Sequence, residues 1–290
     1  MKNPLINIIN FIVKPLAGKG IVDRYFPFLL HLYERVYSIL QPSGYTTVNI
    51  FNNLKLRVSN KDTHIGNLLI NKGEFEPLET AEFVNVIKKD SVVFDIGANF
   101  GYYSIIAASL ANLGKVYAFE PDKNNFVDFK YNIELNNLSN INSENTGAGS
   151  NNGNVSFKVD GIHRGRSKVV ENKGDYDIDV VTLDSYCQIN NIENIDILKV
   201  DVEGFETEVL LGATEIIKKS SNIKLFIEFN PATLKEIGLN HTKFFAAIRQ
   251  VGLIPQLIID ESRNQILEFN SENMQNVLNH STYCNLVCTH

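Results

Sequence analysis

From Ser91 onward, short aliphatic or β-branched runs alternate with longer stretches whose apolar residues recur at helical spacing. Val92 to Ile96 reads as a strand followed by a helix from Tyr102. Val116 to Phe119 reads as a second strand, followed by a helix from Asp122 to about Asn136, and a short third strand runs toward Asn145. Ile195 to Val200, a helix from Phe205 to Lys218, Ile223 to Ile227, a helix from Thr242 to Gln250, and the runs Ile254 to Ile259 and Tyr283 to Cys288 bring the strands to seven. Alternation of this kind predicts an α/β fold with a mostly parallel sheet. A polar, glycine-dotted section, Gly147 to Asp179, interrupts the rhythm and is expected to be an insertion over the strand ends, where substrate selection resides.

Upstream the pattern changes. Phe28, Leu29, Leu32, Val36 and Leu40 share a helical face, expected to pack or to join copies into a homo-oligomer. Thr46 to Val58 alternates around Asn52-Asn53 as a hairpin would, and Pro77 sits where the start of a helix, Glu79 to Lys88, tolerates it. The expected organisation is an N-terminal helical and hairpin extension over 1–72 and a main domain over 73–290, with 147–179 as its insertion. The run Ile6 to Val13, broken by Asn7 and Asn10, is too short and too polar to span a bilayer and lacks a small-residue cleavage pattern.

Composition narrows the partners. The 290 residues carry 27 Lys plus Arg against 33 Asp plus Glu, a net charge of −6, which disfavours nucleic acid and favours small-molecule acceptors. Cys187, Cys284 and Cys288 form neither a disulfide framework nor a paired zinc motif, so a reducing, cytoplasmic setting is expected, with Cys284 and Cys288 packed in a closing strand.

The chemistry gathers at strand ends. Asp95 closes the first strand, and Gly97 and Gly101 frame Ala98, Asn99 and Phe100 before the next helix, the strand-turn-helix of a Rossmann-type nucleotide site. Glu120 closes the second strand, where a carboxylate can accept both hydroxyls of a ribose. Asp201 and Glu228 close two later strands. Because ligands lie beyond the carboxyl ends of such strands, these four acids should meet in one crevice. The glycine spacing departs from GxGxxG and makes no tight turn for a pyrophosphate, so a cationic, phosphate-free nucleoside such as S-adenosylmethionine suits the site better than NAD.

The segments Asp95-Ile-Gly-Ala-Asn-Phe-Gly-Tyr-Tyr-Ser104, Phe119-Glu-Pro121, Thr182-Leu-Asp184 and Leu198-Lys-Val-Asp-Val-Glu-Gly-Phe-Glu206 resemble, in order, the motifs of the FkbM-type methyltransferase family. The resemblance covers about Gly73 to Val287. It implies a Rossmann-like class I methyltransferase fold, S-adenosylmethionine bound through Asp95, Gly97, Asn99, Gly101 and Glu120, and methyl transfer to a hydroxyl of a sugar, glycan or small natural product. Phe100 stands where an aliphatic residue is common, and the insertion after Gly147 matches poorly.

Methyl transfer to oxygen needs a base beside the acceptor, and Asp201, at the end of the central strand, is the first choice. Lys199 and Glu203 share its strand parity. Lys199 is expected to pair with one of the two acids, and Glu203 could instead cap the helix at Phe205. Asp201, Glu228 and Asn230 could alternatively offer oxygen ligands to Mg²⁺. His163, with Arg164 and Arg166, forms the basic cluster of the insertion and could supply a base or clamp an acidic acceptor. His31, His64, His241 and His280 sit in contexts that suggest no role. Two competing readings are an NAD(P)-dependent oxidoreductase, disfavoured by the glycine spacing and the acids, and an inert cofactor-binding module.

Overall fold

The computed structural model describes residues 43–160, 165, 167–170, 173–280 and 283–290. The helix expected around Phe26 to Leu40 lies outside them. The described chain divides into two compact units, one holding residues 43–75 and the other the main domain from Glu76 onward, with Asp160 and Gly165 grouped with the first. Among the described residues no helix is long and apolar enough to cross a membrane.

In the first unit, β1 (Tyr45–Asn49) and β2 (Lys55–Ser59) form the expected antiparallel hairpin. Its link is a single 3₁₀ turn, Phe51–Asn53, in which Asn52 and Asn53 take the left-handed backbone that asparagine tolerates. Helix α1 (Ile65–Lys72) follows, entered where Asp62 accepts the N–H groups of His64 and Gly66 at 2.9 and 3.1 Å.

The main domain opens with α2 (Pro77–Val86), with Pro77 in its first turn, and β3 (Val92–Ile96). Then come α3 (Tyr102–Leu110), β4 (Lys115–Phe119), α4 (Lys123–Leu135) and β5 (Ile141–Glu144). Asp122 starts α4 by accepting the N–H groups of Asn124 and Asn125. The insertion folds into β6 (Gly147–Ala148), β7 (Gly153–Lys158), β8 (Lys168–Val169) and β9 (Tyr176–Val181). These pair as a separate four-stranded sheet of order β6-β9-β7-β8 around Phe157, Ile178 and Val180. At its borders Tyr176 Oη lies 3.5 Å from the Lys123 nitrogen, and Gly149 faces Phe205 and Val180.

The chain continues through α5 (Leu183–Ile189), β10 (Ile197–Val200), α6 (Glu206–Leu211), α7 (Thr214–Lys219) and β11 (Lys224–Phe229). It closes with α8 (Pro231–Glu236), α9 (His241–Gln250), β12 (Ile254–Asp260), β13 (Gln265–Glu268), α10 (Ser271–His280) and β14 (Cys284–Thr289). The single helix expected from Phe205 to Lys218 is two. They break at Gly212, where a β-carbon would lie 1.9 Å from the Gly149 carbonyl oxygen.

The central sheet has order β13-β12-β14-β11-β10-β3-β4-β5. Eight strands replace the expected seven, because the four-residue β13 returns from β12 as a hairpin. From β11 to β5 the neighbours are parallel, whereas β14 joins β11 antiparallel and β12 and β13 continue so. The parallel strands carry Phe94, Leu198 and Leu225 into a core shared with Phe229 and Phe244, and all three cysteines are buried free thiols. Between β3 and β10 the order of connection reverses, and a crevice opens at such a point beyond the carboxyl ends of the strands.

Candidate functional site

The reversal brings the turn after β3 against the end of β10. Gly97 has φ 88°, and a β-carbon there would stand 1.8 Å from the Asp201 carbonyl oxygen, so glycine is demanded by the approach of two backbones. The Asp201 N–H donates to Ile96 O at 3.0 Å, which carries the β3–β10 ladder to the rim. Gly101, at φ 97°, faces the buried ring of Phe129, which a β-carbon would meet at 2.2 Å. Asn99 turns the chain at φ 54° and accepts the Phe100 N–H on its own Oδ1 at 2.9 Å.

Two acids anchor this turn. Asp95 is buried and accepts the Ser104 hydroxyl at 2.5 Å, which ties β3 to α3; burial pushes its carboxyl up to about 6 against the pull of that bond. Glu120 is also buried. Its Oε2 accepts the Asn99 N–H at 2.7 Å and its Oε1 the Asp122 N–H at 2.7 Å, while burial lifts it to about 8.

Across the crevice lies a buried polar cluster centred on Lys199. Laterally, Lys199 pairs with Asp95 on β3 and Phe226 on β11. Its Nζ stands 3.3 Å from each oxygen of Glu79, 3.6 Å from Asp201 Oδ2 and 4.3 Å from the centre of the Tyr103 ring. Glu79, on α2, also accepts from Asn285 Nδ2 at 2.8 Å and from the Tyr103 hydroxyl at 2.9 Å, and that hydroxyl lies 3.0 Å from Glu76. These carboxylates hold the Lys199 ammonium well above its usual range despite its burial. Asp201 is raised by burial, with Lys199 opposing, and its side chain keeps 31% of its surface.

Glu228, opposite Asn285 in the β11–β14 pairing, points an enclosed Oε2 at no hydrogen-bond partner among the described residues. Burial and the charges of Asp201, Glu203, Glu206 and Glu76 raise it well above the carboxylate range.

The segment that carries these motifs is diagnostic. Residues 95–281 match the methyltransferase FkbM domain. The chain belongs to the FkbM methyltransferase family. It is 29% identical over 131 residues to the hexuronic acid methyltransferase AglP of Haloferax volcanii, covering 45% of this chain and 53% of that protein. It is 26% identical over 145 residues to methyltransferase 1 of Beauveria bassiana, covering 42% of this chain and 58% of that one. The chain thus spans a little over half the length of these curated relatives. Among solved structures it is similar to SMU.1697c of Streptococcus mutans in complex with SAH, at 14% identity and TM-score 0.43, over 75% of this chain and 99% of that one. It is also similar to TYW2 of P. horikoshii in complex with MeSAdo, at 15% identity and TM-score 0.46, over 92% and 83%.

Strand parity does not extend to Glu203. β10 ends at Val200, Glu203 turns at φ 50°, and Gly204 follows at φ 101°. Glu206, the first residue of α6, ties down the turn before the helix: its Oε1 accepts the Gly204 N–H at 2.9 Å and the Val202 N–H at 3.4 Å, and burial raises it to about 7. Thr182 caps α5, and Asp184 accepts the N–H groups of Glu215 and Ile216 at the start of α7, so that motif is structural.

The Mg²⁺ alternative fails on its third ligand. β11 ends at Phe229, and Asn230 spends its Oδ1 on the Thr233 N–H at 3.2 Å as the cap of α8. Among the described residues no group of three or more His, Cys, Asp or Glu could hold a metal ion. His163, Arg164 and Arg166 lie outside the described residues.

Sequence reasoning did not single out Glu76, Glu79, Asn285 or Glu206. One signal was available: a lysine inside an apolar strand, Leu198-Lys199-Val200, demands a buried counter-charge from elsewhere in the chain.

Proposed function

We propose that this chain is an S-adenosylmethionine-dependent O-methyltransferase acting on a hydroxyl of a sugar, glycan or small natural product, with Asp201 as the base. The observation that carries the reading is the meeting, at the reversal between β3 and β10, of the Glu120-anchored turn with the open carboxylate of Asp201.

The residues fit the cofactor. Each oxygen of Glu120 takes one backbone N–H, the Asn125 side chain adds a further hydrogen bond, and the acceptor capacity that is left suits the hydroxyls of a ribose. The surrounding acids favour a cation and oppose the pyrophosphate of a dinucleotide, which weakens the oxidoreductase alternative. Glu120 and the Gly97–Gly101 turn would hold the cofactor; Asp95 and Asn99 shape that turn from within. When bound, the cofactor supplies an electrophilic methyl group on a positively charged sulfur.

Asp201 would orient the acceptor hydroxyl and take its proton as that oxygen bonds the methyl carbon and the carbon–sulfur bond breaks, leaving a neutral thioether. Burial raises its carboxyl toward the range in which a base works near neutral pH, and Lys199 restrains that rise. Hexuronic acid is the substrate named for the Haloferax relative, which supports including uronic acids and neutral sugars in an acceptor panel.

The test combines calorimetry with S-adenosylhomocysteine and turnover across that panel for wild type and Asp201→Ala. The reading expects cofactor binding in both and loss of turnover in the variant. Absence of binding to wild type would defeat the cofactor assignment, and full turnover in Asp201→Ala would defeat the base.

A further inference from the structure

We propose that Glu79 is a positioning residue for the transfer reaction: it engages Lys199 so that Asp201 keeps one carboxylate oxygen for the acceptor hydroxyl. The inference rests on the reading of Asp201 as base. Glu79 is 120 positions away from Lys199 in sequence, and nothing in the strand-end motifs points to it.

An ammonium buried beside a single acid would pair with it fully. Among the described residues Lys199 meets two acids at ion-pair distance, and the geometry is unequal. Glu79 faces Nζ with both oxygens at 3.3 Å, whereas Asp201 touches it through Oδ2 alone at 3.6 Å, beyond ordinary hydrogen-bond length. The Tyr103 ring, 4.3 Å away, covers another side of the ammonium. Glu79 is itself fixed, fully buried and held by Asn285 at 2.8 Å and Tyr103 at 2.9 Å. Asp201 is therefore tethered through one oxygen, and its Oδ1 has no partner among the described residues while its side chain reaches the surface. Without Glu79, Lys199 would close onto Asp201 and compete with the acceptor for the carboxylate.

The experiment compares Glu79→Gln, Glu79→Asp and the pair Glu79→Gln with Lys199→Met. Glu79→Gln is expected to lower kcat by on the order of 10- to 100-fold, the scale of a small misplacement of a reacting group. Acceptor KM and the Kd for S-adenosylhomocysteine should stay near wild type. Glu79→Asp, which keeps the charge, should recover part of the loss. The double variant, balanced in charge and without the competing ammonium, should recover thermal stability and part of the lost kcat. A crystal structure of Glu79→Gln should bring Nζ closer to Asp201 than 3.6 Å.

A folded Glu79→Gln with wild-type kcat, a loss confined to cofactor Kd, or a double variant no more active than Glu79→Gln would overturn the proposal. If Glu79→Gln does not fold, Tyr103→Phe decides: it removes one donor to Glu79 and should lower kcat several-fold with cofactor binding intact, and wild-type kcat there would overturn the proposal. Turnover in Asp201→Ala would remove the base reading alone, while the Glu79→Gln structure would still report whether Glu79 sets the place of Lys199.

Discussion

Glu120 and Asn99 are joined by a 2.7 Å hydrogen bond from the Asn99 N–H to Glu120 Oε2, so the acid that ends β4 also holds the turn that leaves β3. One substitution should therefore have two effects. Hydrogen bonds between a buried carboxyl and the two ribose hydroxyls contribute about 0.5–1.5 kcal/mol each, so Glu120→Ala should weaken S-adenosylhomocysteine binding about 10- to 100-fold. It should also cost about 1–3 kcal/mol of stability, because the Asn99 and Asp122 N–H groups lose their acceptor. Calorimetry and thermal unfolding read the two separately. Unchanged affinity in a folded variant would remove Glu120 from the cofactor site.

Strands that bury both faces announce themselves, and β3, β4, β10, β11, β12 and β14 all lie within a residue or two of where their apolar runs place them. The acids that end them are legible for the same reason. What escapes is set by distant backbone. β13 offers only Gln265-Ile-Leu-Glu268, too short to stand out. The break at Gly212 depends on the Gly149 carbonyl, and Glu79 matters only because α2 delivers it to Lys199. The strand-end glycines were legible as the frame of a nucleotide-site turn. The partner they approach, a carbonyl for Gly97 and a ring for Gly101, belongs to tertiary structure.

Gly97 and Gly238 both have positive φ, 88° and 73°, yet only Gly97 lacks room for a side chain. Alanine at 238 meets open space and should cost about 1 kcal/mol for the backbone strain alone. Alanine at 97 must push the Asp201 carbonyl aside, and its cost should exceed about 3 kcal/mol and spoil the site. Denaturant midpoints for the two variants check this; equal costs would mean that the β3 turn can move away from β10.

Asp184 sits in α5 but caps α7, accepting the N–H groups of Glu215 at 3.0 Å and Ile216 at 2.8 Å. Asp184→Ala should lose about 1–2 kcal/mol, the usual contribution of a cap, and leave cofactor affinity as it was. Unfolding curves with and without S-adenosylhomocysteine separate the two quantities. A fall in affinity larger than the stability loss explains would place this motif in the site after all.

The buried acids give stability a definite dependence on pH. Burial raises Asp95 to about 6, Glu206 to about 7 and Glu120 to about 8. Each folded-state value lies above that of the unfolded chain, so between the two the native state holds a proton that the unfolded state has released. Stability from these groups is complete near pH 4 and is lost as pH rises toward 8. Thermal midpoints should therefore fall between pH 5 and pH 8.5. Glu206→Gln isolates one contributor, because the amide oxygen can still accept the Gly204 N–H while no charge forms. The variant should match wild type near pH 5 and melt a few degrees higher at pH 8, a flatter profile. If wild type instead gains stability as pH rises through this window, ionised Glu206 and Glu120 are better served by their backbone donors than burial allows.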